Sequence, residues 1–300
     1  MRNRIVDIAE RPARLRIERR QLVIETEPEP ARIPLEDFAV VVVSHPQVSF
    51  TQAVLSELAA AGGVFVTCDR RRMPVGLMLP LAAHSVQTER FRKQLELTRP
   101  KQKRLWQQLV RAKIVMQAAV LREQTGDECG LRALLPAVRS GDPSNIEARA
   151  ARRYWTALFG SDFRRDRDAG DHNRLLNYGY AVLRAATARA ICAAGLHPSV
   201  GLHHHNRYNA WCLADDLMEP FRPLVDRAVA QFMDGRDDVP ALDGEARVEL
   251  LEVLTGTVDI AGEQRSLFDA LARTAGSLAN VVTGEADALD LPTGTIDAAA

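Results

Sequence analysis

Hydrophobic positions change their spacing near residue 84, from short runs and alternation to sustained helical stripes. Residues 13–26, ARLRIERRQLVIET, place Leu15, Ile17, Leu22 and Ile24 at alternate positions around the polar corner Arg19-Arg20, which predicts a β-hairpin with one buried face. Phe38–Val43 is a continuous, mostly β-branched run, as in a strand covered on both faces. Residues 49–59 carry Phe50, Val54, Leu55 and Leu58 on one helical stripe that Gly62-Gly63 ends, and Val64–Thr67 and Met73–Leu79 read as further strands.

From Glu89 to Gly126 the apolar period is helical, with Pro100 placed to break one long helix into two. Residues 131–138 suit a short helix, and 144–158, 173–194, 215–233, 244–254 and 267–282 suit longer ones. The predicted architecture is α+β. A small N-terminal β-rich domain over residues 1–80 leads through a linker at 81–84 to a larger all-α domain over 85–285. The acidic, small-residue-rich end, 286–300, reads as a disordered tail.

Composition narrows the functional classes. The longest apolar runs are far below the ~20 residues a bilayer crossing needs, and the first residues lack the apolar core of a secretion signal, so the expected location is the cytoplasm. The four cysteines show no CxxC spacing, which argues for free thiols rather than a zinc knuckle. Net charge is zero, yet residues 234–300 hold 14 acids against 4 arginines, leaving +10 on the rest. A basic body of this kind is compatible with a polyanionic ligand. All four lysines, Lys93, Lys101, Lys103 and Lys113, fall in one window with Arg90, Arg92, Arg99, Arg104 and Arg111. That window suits either a solvated helix face or a phosphate-contacting surface.

Candidate chemistry concentrates in Gly201–Pro223, where His203, His204 and His205 precede Asp216 and Glu219. Asp216 and Glu219 are three residues apart and share one face of a helix. The spacing leaves two readings open: metal ligation, or helix capping by Asp215 or Asp216 with Pro220 in the first turn. Farther upstream, Ser144 and Glu147 have capping-box spacing, with Asp142-Pro143 as another start for the same helix, and Arg149, Arg152 and Arg153 follow with guanidinium groups that suit phosphate. Asn173 and Asn177 are placed to orient a neighbouring loop, and Gly179 and Ala181 to allow close helix packing. P-loop, dinucleotide-binding, HExxH and GxSxG patterns are absent from the sequence.

Together these segments resemble the CRISPR-associated integrase that captures new spacers, the first-numbered Cas protein, in its type II version. The stretch IPLEDFAVVVVSHPQVSFTQAVLSELAAAGGVFVTCD is similar to that family's β-domain, and MPVGLMLPLAAH to its domain junction. NIEARAARRYW is similar to its first acid motif, NRLLNYGYAVLRAATARAI to its central helix, and GLHHHNRYNAWCLADDLMEPFRPLVDRAV to its metal-site motif. The resemblance implies that Glu147, His204 and Glu219 are catalytic metal ligands. His204 is chosen as the third residue after Gly201, with His205 and Asp216 as auxiliary candidates. Two carboxylates and an imidazole suit Mg²⁺ or Mn²⁺. The implied reaction is transesterification, in which the 3′ ends of a short duplex attack a CRISPR repeat. The implied DNA contacts are Arg90, Lys93, Lys101, Lys103, Arg149, Arg152 and Arg153. Implied partners are double-stranded DNA, a second copy through the N-terminal domain, the small second Cas adaptation subunit, and other type II adaptation proteins with the effector nuclease; no membrane is involved.

Overall fold

The computed structural model describes residues 4–166, 169, 171–236, 242–252 and 256–295. The N-terminal part contains β1 (Arg4–Ile8), β2 (Arg14–Glu18), β3 (Gln21–Glu25), β4 (Ala31–Pro34), β5 (Phe38–Val43), β6 (Ser49–Phe50), α1 (Gln52–Ala60), β7 (Val64–Cys68) and β8 (Pro74–Met78). Helices follow: α2 (Gln87–Leu95), α3 (Arg99–Thr125), α4 (Ile146–Phe159), α5 (His172–Ala193), α6 (Cys212–Met218), α7 (Arg222–Met233) and α8 (Gly244–Glu252). The chain then forms β9 (Thr257–Ile260), β10 (Glu263–Ser266), α9 (Leu267–Thr283) and β11 (Pro292–Thr295).

The predicted hairpin forms in the expected register, with Leu15 opposite Ile24 and Ile17 opposite Leu22. Its corner residues, Arg19 and Arg20, both have positive φ (50° and 59°), the twist that a two-residue hairpin loop requires. β2 and β3 lie inside a sheet of order β4-β3-β2-β6, and a second sheet has the order β1-β5-β7-β8. In the second sheet β5 pairs in parallel with β1 and β7, while β8 closes the edge antiparallel.

Strand β5 is buried along its whole length, and its alternation sorts two cores. Val41 and Val43 pack with Leu15, Leu22, Val54 and Leu58 on the N-terminal side. Val40 and Val42, with Val64 and Val66 of β7, belong instead to the core of the helical region. The β-rich and helical parts therefore share a hydrophobic layer.

Helix α5 is the centre of the helical part, with fourteen buried residues. At Gly179 an added Cβ would lie 2.4 Å from Val225 Cγ1, so glycine here permits close approach of α5 and α7. Asn173 and Asn177 hold the preceding loop, as expected. Asn173 Oδ1 accepts from Asp166 N at 2.9 Å, and Arg165 donates to both asparagines at 2.7 and 2.6 Å.

Several boundaries differ from the sequence reading. Pro100 stands in the first turn of α3, so the break precedes it rather than interrupting a helix. The span 215–233 is two helices joined by a 3-10 turn at Glu219–Phe221, which absorbs the missing N–H of Pro220. Because α6 starts at Cys212, Asp215 and Asp216 lie inside it and neither caps its start. Of the two starts read for α4, Ser144 does not cap it. The Asp142 carboxylate does so, accepting from Ile146 N and Glu147 N at 2.9 Å each. The segment read as a disordered tail contains β11, which pairs with β9 in a sheet of order β10-β9-β11; residues 296–300 lie outside the described ones. No helix among the described residues is long and apolar enough to cross a membrane.

Candidate metal and nucleic-acid site

The site forms where α3, α4, the loop 201–205 and the α6–α7 junction meet. Helix α3 buries Trp106, Leu109, Ile114, Gln117 and Val120, and Lys113 lies within the same stripe. A cation in such a stripe needs acids nearby, because burying an unpaired charge is very costly. Lys113 Nζ has two: Glu147 Oε1 of α4 at 2.5 Å and Glu219 Oε2 at 2.7 Å. Burial works against the lysine's charge, but Glu219 and Glu147 more than offset it and raise its pKa.

Glu219 is 8% exposed and also contacts Arg222, with Nε 2.8 Å from Glu219 Oε1. Burial alone would raise its pKa; Arg222 and Lys113 overcome that effect and hold it at about 2. Glu219 Oε2 is nevertheless buried without a well-formed hydrogen bond, its contact with Lys113 being ionic.

Asp216 is fully buried and organises the histidine loop. Its Oδ2 accepts from Leu202 N at 2.6 Å and His203 N at 3.0 Å, and its Oδ1 lies 2.6 Å from His204 Nδ1. This carboxylate keeps the proton on Nδ1, leaving Nε2 of His204 to present its lone pair, the usual support for a metal-bound histidine. The same hydrogen bond raises the His204 pKa. Gly201 is required by the tightness of the loop, since a Cβ there would lie 2.3 Å from His204 O and 3.0 Å from Asp216 Oδ2. The Gly-x-x-His spacing therefore has a steric cause.

The three histidines take separate places. His203 stacks on Trp106 with centroids 4.1 Å apart and planes 5° apart, while His204 meets the same indole edge-on at 5.7 Å. Burial lowers the His203 pKa. His205 turns away, its Nε2 2.8 Å from Arg99 Nη1, into a polar pocket of about 740 Å³ lined by Gln94, Gln102, Ser199 and Asn209. Asp215 also faces away, bound to Arg184 at 2.6 Å and Asn209 at 2.7 Å.

A buried tether keeps α4 and α7 in step. Tyr154, two turns after Glu147, donates to Asp226 Oδ2 at 3.0 Å; Tyr180 of α5 donates to Oδ1 of the same carboxyl. Burial pushes the Asp226 pKa up to about 7, with the two tyrosines and Arg222 only partly offsetting it. The folded carboxyl thus keeps its proton where the unfolded one, with a pKa of about 3.9, has lost it. Stability should fall as pH rises from about 4 to 7, by up to about 1.4 kcal/mol per pH unit from this group. Urea unfolding at pH 5 and pH 7 is expected to show that decline, and Asp226→Asn to flatten it.

Among the described residues no three His, Cys, Asp or Glu side chains converge as metal ligands. Glu147 and Glu219 converge on Lys113 instead, and Asp216 holds His204 within the electrostatic reach of Glu219. The donor set still fits Mg²⁺ or Mn²⁺, with two carboxylates and an imidazole. The buried Glu219 Oε2 accepts no well-formed hydrogen bond and is met by the Lys113 ammonium at 2.7 Å, so its partner in the fold is already a positive charge.

The basic candidates divide. Arg149, Arg152 and Arg153 are exposed on α4 and line an open depression with Thr156. Arg90 and Lys101 are engaged internally: Arg90 donates to Ala194 O at 2.7 Å at the end of α5, and Lys101 to Val281 O at 2.8 Å in α9. Both neutralise helix C-terminal carbonyls, a structural use that competes with phosphate contact. Lys93 pairs with Glu89 at 2.9 Å, and Lys103 is exposed but packs its stem beside Gly141. Lys113 and Trp106 are the site residues the sequence reading missed. The available signal was a lysine on the apolar stripe of α3.

The profile of the family described as CRISPR associated protein Cas1 matches residues 6–239. The CRISPR-associated endonuclease Cas1 of Neisseria meningitidis serogroup C (strain 8013) is 38% identical over 283 residues, covering 93% of this chain and 92% of that protein. A casposase bound to integration product superposes with a TM-score of 0.78 at 21% identity, over 95% of this chain and 92% of that one. A chain of a Cas6-RT-Cas1–Cas2 complex does so with a TM-score of 0.73 at 18% identity, over 95% of this chain and 35% of that longer one. At those identities the solved structures speak for the fold, while the profile and the Neisseria relative extend over most of the sequence; the chain belongs to the Cas1 family of CRISPR-associated proteins.

Proposed function

We propose that the chain is a divalent-metal-dependent DNA integrase and endonuclease of CRISPR adaptation. It joins the 3′ ends of a short captured duplex to the ends of a CRISPR repeat, and can cut branched DNA when water replaces the 3′-hydroxyl. The observation that carries this reading is the meeting of Glu147 and Glu219, far apart in sequence, around one buried cationic group beside His204. The relative from Neisseria is named an endonuclease, and the casposase is described with its integration product.

Glu147, His204 and Glu219 would hold the ion. Once bound, it supplies Lewis-acid polarisation of the target phosphodiester and offsets the charge that develops as the bond changes. The protein residues prepare the site. Arg222 keeps Glu219 ionised at neutral pH, and Asp216 fixes the His204 tautomer. Trp106 braces the loop by stacking on His203. The attacking group is the DNA 3′-hydroxyl, so no protein nucleophile is needed. Arg149, Arg152 and Arg153, on the helix that carries Glu147, are positioned to take backbone phosphates.

The partners that fit this reading are double-stranded DNA, a second copy of the chain, and a small Cas2 subunit such as the one named in the structural relative's complex. Further type II adaptation proteins and the effector nuclease complete the set. The test is a joining assay on a repeat-bearing plasmid with a chelator titration. Joining is expected to disappear with chelation and return with Mn²⁺ or Mg²⁺. Joining that persists in excess chelator would exclude metal catalysis. Turnover of a chromogenic phosphodiester without any requirement for DNA would point to a small-molecule hydrolase instead.

A further inference from the structure

Among the described residues Lys113 is the one cation that touches both Glu147 and Glu219, at 2.5 and 2.7 Å, and it reaches them from a third helix. Its side chain is 13% exposed, and it shares its face of α3 with the buried Trp106, Leu109 and Gln117, so it is not a surface lysine that folds onto the site by chance. Glu219 has a second cation, Arg222, whereas among the described residues Glu147 has its ion pair with Lys113. Two carboxylates this close would repel each other without such a charge between them. The ammonium therefore acts as the counter-ion of the pair.

We propose that Lys113 is a built-in competitor of the divalent ion, which holds Glu147 and Glu219 together and must leave them before they can act as ligands. This rests on the metal-site reading above. Both carboxylates present the oxygens that Lys113 engages, so ion binding breaks two short ion pairs. That cost lowers the intrinsic ion affinity of the protein alone. An ammonium released in this way needs another anion, and a DNA phosphate brought to the site supplies one. Ion and DNA should then bind with positive coupling, because each favours the arrangement in which Lys113 has left the carboxylates.

The experiment measures Mn²⁺ binding by the full chain without DNA, using electron paramagnetic resonance of free Mn²⁺ or calorimetry. Unaltered protein, Lys113→Met, Lys113→Gln and Glu219→Gln are compared. The two lysine variants are expected to bind Mn²⁺ about ten-fold or more tightly than the unaltered protein, and to show a larger Mn²⁺-induced rise in melting temperature. Adding duplex DNA should tighten Mn²⁺ binding in the unaltered protein and much less in the lysine variants. Lys113→Gln keeps a polar side chain in place, so it reports on the same question should Lys113→Met fold poorly. Mn²⁺ affinity unchanged or weakened in both lysine variants overturns the competitor role. If Glu219→Gln binds Mn²⁺ as well as the unaltered protein does, the metal-site reading fails, and this proposal fails with it for that separate reason.

Discussion

Replacing Glu219 with alanine is expected to reduce joining of a duplex 3′ end to a repeat-bearing plasmid by a factor on the order of 10³ or more, while duplex binding largely survives. Glu219 supplies one of the two carboxylates at the site, and it is the more buried of the two. A bound metal ion contributes several kcal/mol of charge stabilisation in the transition state, and each ~1.4 kcal/mol is ten-fold in rate. Duplex binding should survive because the exposed arginines Arg149, Arg152 and Arg153 do not depend on Glu219.

The substitution has a second effect that must be separated from the first. It leaves Lys113 with Glu147 alone and takes the carboxylate from Arg222, and removing one member of a buried ion pair typically costs about 3–5 kcal/mol. Glu219→Gln is the necessary companion, since it keeps the volume and removes the charge. The stability due to ionised Glu219 is present above its unfolded pKa of about 4.3 and is lost as pH falls toward its folded value of about 2. Glu219→Gln should therefore be less sensitive to acid in that window, yet as inactive as Glu219→Ala at pH 7.5. Near-unaltered joining by a folded Glu219→Gln protein would remove Glu219 from the ligand set.

The parts of the fold that are legible in the sequence are those with enough periods of pattern. Six consecutive apolar residues announced β5, and the alternation around Arg19-Arg20 gave the hairpin its register. Strands β9 and β10 were not legible because each has only four residues, too few for alternation to stand out in a segment otherwise read as helix and loop. Their turn does carry a local sign: Ala261 and Gly262 both have positive φ, and Ala-Gly is a weak version of the usual hairpin signature. The acidic end looked unable to fold alone. It gains order by pairing with β9 and by placing Asp290 2.8 Å from Arg273, both non-local.

The same division holds at the site. Asp216 and Glu219 could be picked out together from their spacing, but their roles depend on partners far away in sequence. Asp216 is a loop anchor because Gly201–His204 folds over it, and Glu219 is ionised because Arg222 and Lys113 face it. Lys113 was grouped with its basic neighbours by sequence proximity, although its helical phase sets it with Trp106, Leu109 and Gln117 rather than with the exposed Lys103, Arg104 and Arg111. Phase within the helix, rather than charge density in a window, separates the internal cation from the solvent-facing ones.

Arg247→Ala is expected to lower the melting temperature by on the order of 10 °C, through loss of a buried tie between the two halves of the molecule. Arg247, in α8, is 1% exposed; its Nε lies 2.9 Å from Asp7 Oδ2 on β1, and it also pairs with Glu10. Asp7 further accepts from Ser44 at 3.2 Å and from Tyr178 of α5 at 3.3 Å, so its carboxyl joins the sheet to the central helix. Burial already raises the Asp7 pKa, and Arg247 is the largest influence lowering it. Without the guanidinium the charged form loses its compensation, and the folded-state pKa must rise further above the unfolded value of about 3.9. The variant then takes up a proton on folding, so its stability falls as pH rises through that window. The gap from the unaltered protein should consequently be wider at pH 8 than at pH 5. A double variant, Arg247→Met with Asp7→Asn, should recover much of the loss, because removing both charges leaves no uncompensated ion in the core. Melting curves of the three proteins at the two pH values read all of this directly. A gap of the same size at both pH values, with no recovery in the double variant, would mean that Arg247 stabilises by packing alone and that the Asp7 charge plays no part.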